Sequence, residues 1–144
     1  MFFVEERKTS GRVLQNSMMK EPIILSGKVV HGKALGRTVG MPTANLCIEK
    51  GTIPADGVYA TKISVKGKSY ISVTNIGRRP TVDKESYITV ETHIIDFDEE
   101  IYGEQAVLKV HKLLRPVQKF ESLQAVQKQV QIDVETAKIY FQEK

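Results

Sequence analysis

The ten residues from Gly36 to Asn45, GRTVGMPTAN, contain residue types that can bind a phosphate or a cation. They do not form the usual nucleotide-binding P-loop, although Gly32 extends the glycine-rich stretch upstream. The glycine spacing is one residue short, and Arg37 stands where a P-loop has its lysine. Pro42 disfavours helical geometry at the residue before it, so the stretch cannot run smoothly into a helix. The sequence therefore predicts a glycine-rich turn that leads into an extended segment.

Thr43 and Asn45 end this stretch and lie two residues apart. In an extended segment such residues point to the same side, so the Thr43 hydroxyl and the Asn45 amide oxygen would converge. Two neutral oxygens hold a cation weakly, but Mg²⁺ usually takes few protein ligands and completes its shell with phosphate oxygens and water. The pair therefore suits a Mg²⁺ ion that a nucleotide brings with it. The alternative is that both side chains only cap a turn, and the spacing alone favours that alternative.

Glu91 is the second residue that could do chemistry, and it lies in an alternating segment, SYITVETHIIDF. The two faces of a strand in this segment would carry Thr89, Glu91 and His93 on one side and Ile88, Val90 and Ile94 on the other. A polar face opposite an apolar one is usually exposed to solvent, which would make Glu91 an ordinary surface acid. If that face lines a substrate groove instead, Glu91 can accept a proton from a substrate hydroxyl.

The elements that must position these residues are mostly strands. Five or six short β-rich segments lie between Ile23 and Arg115, with Gly, Pro, Asn and Asp in the gaps. Two of them meet at Lys66-Gly67, which predicts a tight hairpin turn. Because no helical pattern intervenes, the segments indicate a small antiparallel barrel.

The C-terminal segment has a different period. Its apolar residues recur at steps of three or four, which predicts one face of a helix. They are Phe120, Leu123, Val126, Val130, Val134, Ala137 and Phe141. This helix should close one side or end of the barrel. Ser122 is a plausible N-cap, and Pro116 prevents a much earlier start.

The chain has 144 residues and one cysteine, which indicates a single domain without a disulfide and, by default, a cytoplasmic protein. No apolar run is long enough to cross a membrane. The net charge of +4 arises in residues 1–40, which hold seven Lys/Arg and three Asp/Glu, whereas the remainder holds fourteen of each. This placement favours a local basic entrance for an anionic ligand over a general nucleic-acid surface, although a solvated tail explains part of it. We predict a poorly ordered or loosely docked N-terminal extension over residues 1–21 and a folded domain over residues 22–144.

Several motifs in order make the chain resemble the riboflavin kinase (flavokinase) family. They cover almost the whole domain: GKVVHGKALGRTVGMPTAN, PADGVYA, TNIGRRPT, VETHIIDF, IYGE, LLRPVQKF and SLQAVQKQVQID. The family transfers the γ-phosphoryl group of ATP to the terminal ribityl hydroxyl of riboflavin and so makes FMN. The resemblance implies a six-stranded antiparallel Greek-key barrel with a C-terminal helix. It also implies Mg²⁺ as cofactor and riboflavin and ATP as the partners. We further expect a monomer that binds no nucleic acid and no membrane. FAD synthesis is not expected, because the chain has no H-x-G-H motif and is short.

The resemblance also implies roles for individual residues. Glu91 would be the catalytic base, and Thr43 and Asn45 would bind both Mg²⁺ and ATP. Further ATP contacts would come from Gly32, Arg37, Ile94, Asp96 and Tyr102. The flavin-binding residues would be Arg115, Gln118 and Phe120. Two of these carry an alternative, since Arg37 could be an exposed loop charge and Phe120 could belong only to the core.

Two rival functions remain open at this point. A catalytically weak flavin-binding sensor or regulator could use the same barrel, but the presence of Thr43, Asn45 and Glu91 argues against it. A small nucleic-acid-binding barrel would fit the isoelectric point near 9.1. The neutral balance after residue 40 and the lack of interleaved surface aromatics argue against that function.

Overall fold

A computed structural model describes residues 21–30, 43–80 and 86–142. The elements are β1 (Ile23–Val30), β2 (Ala44–Lys50), β3 (Gly57–Val65), β4 (Lys68–Pro80), β5 (Ser86–Ile94), β6 (Gln105–Arg115) and the helix α1 (Leu123–Gln142). The predictions for residues 1–20, Gly32 and Arg37 lie outside the described residues. Among those described, no helix combines the length and the hydropathy that a membrane crossing needs.

The six strands close into a barrel in the order β1-β2-β5-β4-β3-β6, and every neighbouring pair is antiparallel. Three of these pairs join strands that are distant in sequence, namely β2 with β5, β3 with β6, and β1 with β6. The predicted antiparallel barrel with a C-terminal helix is therefore confirmed.

The β3–β4 hairpin shows how local sequence sets the register. Lys66 and Gly67 both have positive φ, 53° and 79°, which is the geometry of a two-residue type I′ turn. The turn pairs Val65 with Lys68, and from there the ladder runs without a shift to Gly57 and Ile76. The tight turn predicted at Lys66-Gly67 is confirmed.

Alternate residues of each strand fill the barrel. The largest of the fully buried apolar side chains are Leu25, Ile63, Ile76 and Leu108. Among the described residues, four buried hydroxyls also lie inside. Hydrogen bonds connect them in the order Ser72, Thr61, Thr74 and Thr92, with oxygen–oxygen distances of 2.7, 2.8 and 2.9 Å. Because each hydroxyl bonds to another, the barrel can bury these polar groups without leaving them unsatisfied.

The helix packs on the outer face of the sheet. Val58, Ala60 and Val73 form a second buried cluster with Ala137, and Val134 packs against it. The Ser122 hydroxyl accepts a hydrogen bond from the Ala125 amide at 3.1 Å, as the predicted N-cap should.

The first turn of α1 differs from the predicted apolar face. Phe120 precedes the helix, and Leu123 is 55% exposed. The helix residues that pack in the second cluster begin only at Val134, so the first turn is not held against the sheet. The apolar period was therefore right for the later turns and wrong for Leu123.

Candidate active site

Glu91 lies between two asparagines on the outer face of the barrel. In the strand register it is opposite Asn45 of β2 on one side and opposite Asn75 of β4 on the other. The residues that flank Glu91 along β5, Val90 and Thr92, are buried, so its own side chain points outward. Directly opposed residues in antiparallel strands have Cα atoms about 4.5–5.5 Å apart. One carboxylate and two amides can therefore contact the same small ligand.

These three side chains remain accessible. Asn75 is exposed, whereas Glu91 and Asn45 are half-buried. Within the described part of the chain, Glu91 forms no ion pair. A half-buried carboxylate with no described cationic partner is available for a substrate proton or a bound cation.

Thr43, just before β2, lines a cavity of about 260 Å³ at one end of the barrel. The other lining residues are Val29, Ala44, Thr92, Ile94, Phe97, Asp98, Glu99, Glu100, Ile101 and Tyr102. The structure thus gathers three of the predicted ATP residues, Thr43, Ile94 and Tyr102, around one cavity.

Two other predicted ATP residues are not among those that line the cavity. Asp96 is exposed in the turn after β5 and has a positive φ of 56°. Asn45 instead lies beside Glu91. Thr43 lies at the cavity and Asn45 lies beside Glu91, so the start of β2 connects the cavity to Glu91.

One wall of the cavity is acidic, which was not predicted. Asp98, Glu99 and Glu100 line it and are all exposed. Their negative charges would repel anionic groups from that wall. The acidic run after the alternating segment, DFDEE, was the sequence signal for this wall.

The predicted flavin residues form a separate cluster where β6 ends. Arg115 Nε and Nη2 donate to the Asp133 carboxylate, at 3.0 and 2.9 Å, and Nη1 donates to the Pro116 carbonyl at 3.1 Å. The same nitrogen is 3.5 Å from the Gln118 side-chain oxygen, and the guanidinium carbon lies 5.7 Å from the centre of the Phe120 ring. Arg115, Gln118 and Phe120 are therefore brought together.

Asp133 of α1 is the member of this cluster that sequence reasoning missed. Its carboxylate is buried and also accepts a hydrogen bond from Gln129 Nε2 at 3.1 Å. Its position, three residues after Val130 and four before Ala137, puts it on the apolar face of the helix. An acid at such a position indicates a buried partner, and that partner is Arg115.

A single row of residues relates the flavin cluster to Glu91. From Glu91 the register continues to Asn75 of β4, then Val58 of β3, then Arg115 of β6. Neighbouring strands are about 4.8 Å apart, so Arg115 lies about 14 Å from Glu91 along the curved surface. The α1 helix covers Val58, and Asn75 is the exposed residue between the two ends.

Two of the motifs that carry the resemblance hold the end of the β3–β4 hairpin together. The Arg78 guanidinium binds the Asp56 carboxylate, and Arg78 Nη2 donates to the Pro54 carbonyl at 3.2 Å. The Tyr59 hydroxyl donates to the Ala55 carbonyl at 2.6 Å, and burial raises the pKa of Tyr59 above its ordinary value. Asp56 and Tyr59 of PADGVYA and Arg78 of TNIGRRPT thus connect neighbouring parts of the sheet close to Asn75.

The closed barrel with its packed helix defines the structural class, and comparisons with known proteins define the family. The riboflavin kinase family model, Flavokinase, matches residues 19–141. The chain therefore belongs to the riboflavin kinase family, which confirms the resemblance that the motifs predicted.

Curated relatives agree with the family match. The bifunctional riboflavin kinase/FMN adenylyltransferase of Haemophilus influenzae is 37% identical over 129 residues, which cover 89% of this chain and 42% of that protein. The Bacillus subtilis protein of the same name is 35% identical over 131 residues, with 89% and 42% covered. The chain thus spans less than half the length of these relatives.

Solved structures share the fold. The riboflavin kinase of Trypanosoma brucei matches with a TM-score of 0.58 and 26% identity, over 86% of this chain and 82% of that one. A Streptococcus pneumoniae crystal structure described as a macrolide-efflux protein matches with a TM-score of 0.77 and 35% identity, over 81% of this chain and 38% of that one.

Proposed function

We propose that this chain transfers the γ-phosphoryl group of ATP to the terminal ribityl hydroxyl of riboflavin and so produces FMN. The observation that carries the proposal is the register that pairs Asn45 with Glu91. It brings a candidate cation ligand next to a candidate base, as transfer from a nucleotide to a hydroxyl requires. Membership of the riboflavin kinase family supports riboflavin as the acceptor.

Glu91 acts as the general base in this proposal. Its carboxylate accepts the proton of the attacking hydroxyl, while the hydroxyl oxygen bonds to the γ-phosphorus and ADP leaves. General-base assistance of this kind contributes roughly 10²–10⁴-fold to a rate, and alignment of the substrates supplies much of the remainder. The phosphoryl group passes directly between the two substrates, so Glu91 forms no covalent intermediate.

Mg²⁺ fits the residues at the start of β2. Thr43 and Asn45 offer neutral oxygen ligands, and no group of three or more His, Cys, Asp and Glu suited to a metal occurs in residues 21–30, 43–80 and 86–142. A cation there needs negative charge from another source, and nucleotide phosphates supply it. When bound, Mg²⁺ would neutralise charge on the phosphates.

The cavity at the barrel end is the proposed nucleotide site. The phosphates would lie on the side of Thr43, because the acidic wall of Asp98, Glu99 and Glu100 repels them from the opposite side. Ile94 and Tyr102 offer apolar and aromatic surface for the adenine ring of the nucleotide. Asp96 would contact the nucleotide from the rim, and Gly32 and Arg37 are proposed to approach the phosphates.

The isoalloxazine ring is proposed to bind at the Arg115 cluster. A planar guanidinium and an aromatic ring suit a flat heteroaromatic ligand with polar edges. Asp133 holds the Arg115 guanidinium in place, which leaves Phe120 and Gln118 to adjust to the ligand.

We further propose that residues 22–144 act as a monomeric kinase domain in the cytoplasm and do not make FAD.

One assay separates this function from its rivals. The protein is incubated with riboflavin, ATP and MgCl₂, and products are separated by chromatography, with an EDTA sample as control. We expect Mg²⁺-dependent FMN. Flavin binding without FMN would favour a flavin sensor, whereas salt-dependent nucleic-acid binding without flavin binding would exclude both flavin functions.

A further inference from the structure

Asn75 is a polar residue at an unusual place in the barrel. It lies within the thirteen-residue strand β4, although asparagine is generally depleted in strands. On the same face, Val73 lies two residues earlier and is buried in the cluster beneath α1. Val58, directly opposite Asn75 on β3, belongs to that cluster as well. An apolar side chain at this position would extend the covered cluster, and the exposed amide ends it instead.

The Asn75 amide is free to bind a ligand. In the described part of the chain, the Asn75 side-chain amide forms no hydrogen bond. The amide group offers two donor hydrogens and one acceptor oxygen, which is the complement of neighbouring alcohol groups. It lies one strand from Glu91 and two strands from Arg115, so about 5 and 10 Å along the surface.

Because α1 covers Val58, a substrate that reaches from Arg115 to Glu91 must go around that cluster, and Asn75 is the exposed residue of the row next to Glu91. If the flavin ring lies at Arg115 and the reacting hydroxyl lies at Glu91, the part between them is the ribityl chain with its internal hydroxyls. We infer that Asn75 is a specificity-determining residue that hydrogen-bonds these internal hydroxyls and so sets the position of the terminal one. This inference rests on the proposed function and adds to it the residue that recognises the chain joining the ring to the reacting end.

The test compares two acceptors that differ only at the groups Asn75 would recognise. One is riboflavin, and the other is a flavin whose side chain keeps the terminal hydroxyl and lacks the internal ones. FMN formation, or formation of the corresponding phosphate, gives kcat/KM for each acceptor. The ratio of the two values measures recognition of the internal hydroxyls, because ring binding and chemistry contribute equally to both.

For Asn75→Ala we expect this ratio to fall about five- to tenfold, the range of one or two ordinary hydrogen bonds to an exposed group. Asn75→Ser, which keeps a hydroxyl, should recover part of the ratio. The matched control is Gln105→Ala. Gln105 is an exposed amide at the first position of β6, whereas Arg115 is at the last. The ratio of the two kcat/KM values for this variant should equal that of the wild type.

Two results would overturn the inference. In the first, Asn75→Ala lowers kcat/KM equally for both acceptors, which indicates a purely structural role. In the second, the variant changes neither value while the wild type makes FMN, so only the role of Asn75 fails. If the wild type phosphorylates neither acceptor, the proposed function fails and the inference fails with it.

Discussion

At the scale of single residues, the candidate site depends on what surrounds the Glu91 carboxylate. Asn45 and Asn75 flank it, and neither amide carries a charge that would compete for a substrate proton. Because Asn45 is a neutral ligand, the cation would be held mainly by phosphate oxygens. Metal binding would then be coupled to nucleotide binding. Asn45 should therefore affect the metal requirement of the reaction and leave the flavin untouched.

The first prediction concerns Asn45→Ala. Removal of one of two protein oxygens should raise the Mg²⁺ concentration needed for half-maximal FMN formation by at least about tenfold, since even indirect partners of a metal site typically matter by 10–100-fold. Riboflavin affinity, measured by flavin fluorescence, should stay constant. Cys47→Ala is the matched control, because Cys47 lies two residues along the same strand and is exposed. An unchanged Mg²⁺ requirement would remove Asn45 from the metal site.

At the scale of elements, the ion pair between Arg115 and Asp133 connects β6 to α1. The side chains are 17% and 5% exposed, and two guanidinium nitrogens donate to one carboxylate. A pair this well hydrogen-bonded compensates for its burial, but either partner alone would be a poorly solvated charge. The helix therefore stabilises the barrel and fixes the guanidinium at the proposed ring site through the same contact.

The second prediction follows from that double role. Asp133→Ala should lower the free energy of unfolding by about 3 kcal/mol, because it leaves the Arg115 charge without its partner. It should also weaken riboflavin binding in the fraction that stays folded. Both effects can be measured, by urea unfolding and by flavin fluorescence under native conditions.

The control for Asp133 lies on the same helix. Glu135 pairs with Lys138 at 3.7 Å, and its side chain is 68% exposed. Exposed pairs of this kind contribute little, so Glu135→Ala should change the free energy of unfolding by less than about 0.5 kcal/mol. Equal destabilisation by the two substitutions would mean that the Arg115 pair contributes no more than a surface contact.

At the scale of the whole molecule, the barrel order places residues from distant segments in one row. Asn45 meets Glu91 only because β2 pairs with β5, and Arg115 joins the row only because β6 pairs with β3. The row contains the proposed base with a cation ligand at one end and the proposed ring site at the other. The acceptor chain can reach Glu91 beside Asn75, at the edge of the cluster that α1 covers.

Local signals in the sequence predicted local structure well. The Lys66-Gly67 turn and the Ser122 cap depend on neighbours within a few residues, and both are present. Thr43, Asn45 and Glu91 were selected because the ordered motifs contain them, and their roles stay predictions.

Features that depend on contacts between distant segments were not predicted from the sequence. The register that pairs Asn45 with Glu91 is set by barrel closure, which no short segment encodes. Asp133 was missed because the helical period was traced through apolar residues alone, although a paired acid can occupy the same face. Leu123 was assigned to the buried face for the converse reason, since an apolar residue in the right period stays exposed when the first turn is not held against the sheet.

The proposed reaction depends above all on Glu91, the base at which the acceptor hydroxyl would react. The most direct test is the single-turnover rate of FMN formation by Glu91→Gln, with enough protein to bind all the riboflavin. Glutamine keeps the shape and polarity of the side chain but is not basic. We expect the variant's rate to be lower by roughly 10²–10⁴-fold, with its riboflavin and ATP affinities retained. A rate within a few-fold of the wild type, with both substrates bound, would contradict it.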